Sequence, residues 1–184
     1  VVDACKLKEI RQISISYIFN QLGWGIYFLF IATFMMVKFH LTETDISILL
    51  GVLGAGFSVG CAFLVNFLSK KLSNKISLQI SLIGVIICVL LTLIVNNPLV
   101  MWIVIFFIGI FQAVAYSFYI TLFSGAVDDS KQGWIMGVTS SLFAVPSWFA
   151  SVPFVILSKF DQLDILGLKL ASFLSNSNFT FQYG

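Results

Sequence analysis

From Ile76 to Val127 the chain runs for fifty-two residues without an Asp, Glu, Lys, Arg or His. A bilayer core about 30 Å thick takes roughly 20 apolar residues of helix to cross. The stretch is long enough for two crossings, and its one interruption, Asn96-Asn97-Pro98, is a turn signal. A soluble helix needs a polar stripe toward water, which neither part of this stretch has. The sequence therefore predicts a membrane hairpin.

Charged residues divide the remainder in the same way. A first span is expected at Ile13–Val37, between Arg11 and Lys38. A polar loop from Lys38 to Asp45 follows, where Thr44 or Asp45 is expected to cap the next helix. The second span reads as Ile46–Leu68, and Lys70, Lys71 and Lys75 mark the next loop. The hairpin supplies Ile76–Val95 and Leu99–Val127, and Asp128 to Gly133 forms a fourth loop. A fifth span covers Trp134–Leu157 and contains Pro146 and Pro153, which membrane helices tolerate when neighbours satisfy the freed carbonyls. The expected fold is an all-α, polytopic transmembrane helix bundle with five clear spans. The Leu163–Leu174 segment is short for a sixth and reads better as an amphipathic interfacial helix.

Composition narrows the function classes. Hydrophobic residues make up 59% of the chain and charged residues 10%, with mean hydropathy +1.04, which excludes an ordinary soluble domain. The net charge of +2 is too small to suggest a nucleic-acid partner. No ionisable residue falls inside a span, so no intramembrane proton relay or ion-pair site is expected. The single histidine, His40, lies in a loop, and Cys5, Cys61 and Cys88 show no metal-ligand spacing. Ser140, Ser141, Ser147 and Ser151 have no base nearby in sequence, so a nucleophilic site is not expected either. The reading is of a non-enzyme without catalytic residues, cofactor or metal. An Asn178-Phe179-Thr180 triplet matches a glycosylation sequon and carries little weight.

The spans do carry uncharged polar and aromatic side chains at helical spacing. Asn20, Trp24 and Tyr27 fall at i, i+4 and i+7 on the first span, and Gln112, Tyr116 and Tyr119 repeat that spacing on the fourth. A carboxamide facing lipid leaves its hydrogen bonds unmade. These two stripes therefore either line a polar cavity that takes a small molecule or bond across helix interfaces. Small residues mark close approach. Gly56 and Gly60 form a GxxxG pair on the second span, and Gly133 and Gly137 are expected to bring the fifth span against a neighbour.

The segments Gly23-Trp24-Gly25-Ile26-Tyr27-Phe28, Asn66 to Lys75 and Gln132-Gly133-Trp134-Ile135-Met136-Gly137 together resemble the C-terminal half of a major facilitator superfamily transporter of the drug-efflux or tetracycline-efflux type. Gly23-Trp24-Gly25-Ile26-Tyr27-Phe28, then Thr44-Asp45-Ile46 and the glycine-rich second span, resembles family helices seven and eight. Asn66 to Lys75 stands where the family has a short basic loop; Leu68, Lys71 and Lys75 keep its character, while Asn66, Lys70 and Ser73 depart from it. Gln132-Gly133-Trp134-Ile135-Met136-Gly137 with Ser140-Ser141-Leu142 resembles the opening of helix eleven and is the most specific match. On this resemblance, residues 13–157 are a transmembrane half-domain, 1–12 a cytoplasmic lead-in and 158–184 a tail or incomplete sixth span. The resemblance implies a secondary active transporter, with drug-like export by proton antiport as the first expectation. An amino-acid or other nutrient uptake half, and a non-transporting scaffold or truncated remnant, stay open as alternatives. It also implies that Asn20, Trp24, Tyr27, Gln112, Tyr116 and Tyr119 face substrate. The partners expected are the bilayer and either an N-terminal transporter half or a second copy of the chain.

Lysine and arginine placement orients the bundle. The N-terminus, second loop and fourth loop carry Lys6, Lys8, Arg11, Lys70, Lys71, Lys75 and Lys131, whereas the first and third loops carry Lys38 alone. The N-terminus is expected in the cytoplasm, in what reads as a bacterial inner membrane, and the tail outside. Single cysteines at Lys71 and Asn97, in a background lacking Cys5, Cys61 and Cys88, should react with impermeant reagents from opposite faces. Reaction of both from one face contradicts the span count.

Overall fold

The computed structural model describes residues 8–159. They form α1 (Lys8–Phe39), α2 (Glu43–Val59), α3 (Val65–Lys71), α4 (Asn74–Ile94), α5 (Pro98–Gly125) and α6 (Gln132–Lys159). A five-residue π-helical segment, Gly60–Leu64, joins α2 to α3, so Glu43–Lys71 is one continuous rod. Four rods are long and apolar enough to cross a membrane: Ile10–Phe39, Glu43–Lys71, Asn74–Ile94 and Pro98–Gly125. The fifth expected span forms α6, while the Leu163–Leu174 segment lies outside the described residues.

Short-range chemistry sets the rod ends. His40 takes a left-handed conformation (φ 53°) just past α1, a common way for a helix to stop. Thr42, rather than Thr44 or Asp45, is the N-cap of α2. Its Oγ1 accepts from the Asp45 backbone N–H at 3.3 Å, and Asp45 Oδ2 accepts from the Thr42 N–H at 2.9 Å. This reciprocal pair is a capping box in which Asp45 takes the third helical position. Across the hairpin turn, Asn97 Oδ1 accepts from the Leu99 N–H at 2.9 Å and Pro98 opens α5, where its missing N–H is harmless. Lys38 donates to the Leu93 carbonyl at 3.0 Å with its ammonium over the Phe34 and Phe39 rings, tying the C-terminal ends of α1 and α4 together. Gln132 binds back to Ser124, accepting from its hydroxyl at 2.7 Å and donating to its carbonyl at 3.0 Å. The most specific family-like motif thus begins with a clamp between α5 and α6.

The bundle is built around α5. Half of its apolar window is buried (50%), against 11% for α1. α4 packs along one side of α5 and α2 along another, while α1 pairs mainly with α6 and meets α5 along a narrower seam. The α2–α5 contact is backbone on backbone. A Cβ at Gly56 would collide with the Phe106 carbonyl oxygen, and one at Gly109 with the Leu53 carbonyl oxygen. Gly60 continues the contact, its would-be Cβ only 2.6 Å from the Ile110 oxygen. Lipid gives apolar helices little reason to associate, so this fit supplies attraction through close packing.

Gly133 and Gly137 do not behave as their spacing suggests. A Cβ at either would meet nothing within 4 Å, and α6 reaches its neighbours through buried Ile135 and Val138 instead. Spacing permits close approach but does not supply a partner. Gly109→Leu should therefore lower stability in detergent by at least the ~1–3 kcal/mol typical of overpacking, with Gly137→Leu nearly neutral. A thermal-unfolding series that ranks them the other way would show the wrong interface has been assigned.

Candidate functional site

Two cavities flank the seam between α1 and α5. The first, about 560 Å³, lies among α1, α4 and α5 and is lined by Asn20, Trp24, Tyr27, Gln112 and Tyr119 against Leu82, Val85, Ile86 and Val89 of α4. The second, about 610 Å³, lies among α1, α2, α5 and α6. Tyr17, Gln21, Trp24, Gln112 and Tyr116 line it with Phe57 of α2 and Met136, Thr139, Ser140 and Phe143 of α6. Both volumes suit a small organic ligand. Trp24 and Gln112 belong to both walls. Each also stands near the middle of its helix, Trp24 in α1 (Lys8–Phe39) and Gln112 in α5 (Pro98–Gly125). In a chain spanning the bilayer that position is close to the membrane midplane.

The structure brings five of the six sequence-predicted residues to the first cavity; Tyr116, half exposed, faces the second. The five differ in environment. Tyr119 is wholly buried, with its hydroxyl 2.6 Å from Ser16 Oγ and its ring 5.0 Å from Tyr17 in an edge contact. It is the pin that closes the seam. Trp24 and Tyr27 stack at 5.9 Å with an interplanar angle of 22°, and the Tyr27 hydroxyl makes a long contact of 3.5 Å to Thr92. These rings present a flat apolar wall with a polar edge.

The carboxamides are in a different condition. Gln112 is 2% exposed, and its Oε1 is buried without a hydrogen-bond partner. Asn20 Nδ2 is also buried and unpartnered, and the Tyr17 hydroxyl, beside Gln21, makes no hydrogen bond of good geometry. A buried polar group left unpaired costs about 1–3 kcal/mol. Three of them along one seam mark a place that is completed by water or ligand. No Asp, Glu, Lys, Arg or His lines either cavity among the described residues. The hydroxyls of Ser140 and Ser141 donate to carbonyls one turn back, at 3.0 Å each, which occupies them within α6.

Sequence reasoning passed over Tyr17, Gln21 and Thr139, and weighed Ser140 only as a nucleophile and as part of a motif, not as a lining residue. A signal for the first two was present: Tyr17, Gln21 and Trp24 repeat the same i, i+4, i+7 spacing as Asn20, Trp24 and Tyr27. The two stripes share Trp24 and diverge, so each faces a different cavity. On α6, Met136, Thr139, Ser140 and Phe143 follow a helical face as well, but nothing in their own chemistry separates them from ordinary packing.

Comparison with curated proteins and with solved structures finds no significant match to either. The family comparison is positive: the model described as Major Facilitator Superfamily matches residues 13–157, the span of sequence that builds all five rods. This chain is a multi-pass integral membrane protein and belongs to the Major Facilitator Superfamily of transporters.

Proposed function

We propose that the chain is the C-terminal half of a secondary active transporter and that the seam at Trp24 and Gln112 is its half of the substrate site. The observation that carries the reading is the pair of unpartnered carboxamides, Asn20 and Gln112, on two helices around one mid-span cavity. Secondary transporters bind substrate near the bilayer midplane, between elements that rock against one another. The lining favours an aromatic, drug-like substrate, and export by proton antiport is the expectation that goes with the resemblance of the Gln132–Leu142 region. An amino acid would place an ammonium and a carboxylate against walls that hold no counter-charge among the described residues. The lysine and arginine asymmetry supports a cytoplasmic N-terminus, and the membrane we assign is a bacterial inner membrane.

Gln112→Leu separates this reading from plain packing. It removes an unpaired buried oxygen, so stability in detergent should hold or rise. With the partner half present, transport at limiting substrate should fall about tenfold, the loss of roughly one good hydrogen bond. Lower stability with unchanged transport would assign Gln112 to the helix interface alone.

Residues 13–37, 46–68, 76–127 and 134–157 contain no carboxylate to carry a coupling proton, and a half-transporter by itself has no opposing half to rock against. The 184-residue chain reconstituted by itself in liposomes should therefore show no proton-driven flux of drug-like cations or neutral dyes. Robust flux from the chain alone would point to a self-sufficient homodimer and overturn the half-transporter assignment.

A further inference from the structure

Resting on the reading of the first cavity as a substrate site, we infer that its ligand is an uncharged aryl compound carrying an amide-type head, clasped between Asn20 and Gln112. The two orphaned atoms are complementary in kind. Asn20 Nδ2 is a donor without an acceptor, and Gln112 Oε1 is an acceptor without a donor. An amide offers both partners on adjacent atoms: its carbonyl accepts from Asn20 while its N–H donates to Gln112. Turning either side chain about its terminal torsion exchanges oxygen and nitrogen, so the clasp can reverse to suit the ligand's orientation.

Charge is excluded on separate grounds. A cationic or anionic head at mid-span has to be paired or hydrated. Among the described residues the cavity supplies no Asp, Glu, Lys, Arg or His, and its α4 wall of Leu82, Val85, Ile86 and Val89 offers only hydrocarbon. The other end of the ligand is set by Trp24 and Tyr27, whose stacked rings form a face on which an aromatic group can lie. At about 560 Å³ the cavity accepts one or two fused rings with a short polar head. Aromatic wall, neutral clasp and charge-free lining thus agree on one class of compound.

The test uses three probes of nearly equal size: 2-naphthylacetamide, 2-naphthylacetate and 2-(2-naphthyl)ethylammonium. Their binding to the purified 184-residue chain in detergent is measured by titration calorimetry, without any transport step. The acetamide should bind at least tenfold more tightly than either charged probe. Gln112→Glu, nearly the same size, should weaken acetamide binding at least fivefold and bring the ammonium probe up to or above it. Asn20→Leu provides a second reading should the first variant not fold, with the same fivefold loss expected for the acetamide. Equal or tighter binding of a charged probe by the unaltered protein, or no measurable acetamide binding, overturns the inference. Because binding is read at equilibrium, failure of the transport reading shows separately, as acetamide binding without translocation even when a partner half is supplied.

Discussion

Where Gly56 meets Phe106 and Gly109 meets Leu53, two helix backbones touch with no side chain between them. In lipid the usual penalty for exposing hydrocarbon is absent, so helices must be held by fit and by hydrogen bonds. This contact holds the Glu43–Lys71 rod to α5, and α4 covers another side of the same helix. With those flanks taken, α1 is left to pair mainly with α6 and to touch α5 only along a seam. The seam is pinned by Tyr119 against Ser16 and Tyr17, and it is open on both sides of Trp24 and Gln112. Tight packing on one face of α5 and loose packing on the other have a common origin.

The rods were legible because charge cannot enter hydrocarbon cheaply, so Arg11, Lys38, Lys75 and Asp128 bracket them in the sequence. Turn chemistry was legible at Asn97-Pro98 but only in part at the start of α2. There three neighbouring residues, Thr42, Thr44 and Asp45, can all cap, and the choice of Thr42 depends on where the chain leaves α1. Tertiary partners were the hardest to read. Gly56 with Gly60 and Gly133 with Gly137 share one spacing, yet the first pair meets a backbone and the second meets open space. A sequence records that a surface is flat; the neighbour is decided elsewhere in the fold.

The polar face of α1 shows the same limit in another form. Periodicity groups Asn20, Trp24 and Tyr27, and equally groups Tyr17, Gln21 and Trp24, because adjacent stripes on a helix overlap. Only the positions of α4 and α6 on opposite sides of α1 give each stripe its own cavity. Within those cavities the polar lining consists of neutral dipoles among the described residues. In a medium of low dielectric, an unpaired carboxamide is a strong group without being a charged one.

The π-helical turn at Gly60–Leu64 keeps a phase. Gly56, Gly60, Leu64 and Leu68 repeat every fourth residue, a pattern that drifts around a regular α-helix by about 40° at each step. Over three steps the stripe would swing away from its neighbours. A π turn winds fewer degrees per residue, so a single one sets the drift back. Gly60 stays against Ile110, and Leu64 and Leu68 still reach the buried cluster around Phe118 and Phe123. The rod thereby keeps contact with its neighbours from Gly56 to Leu68, past the point where a regular helix would have turned that stripe away.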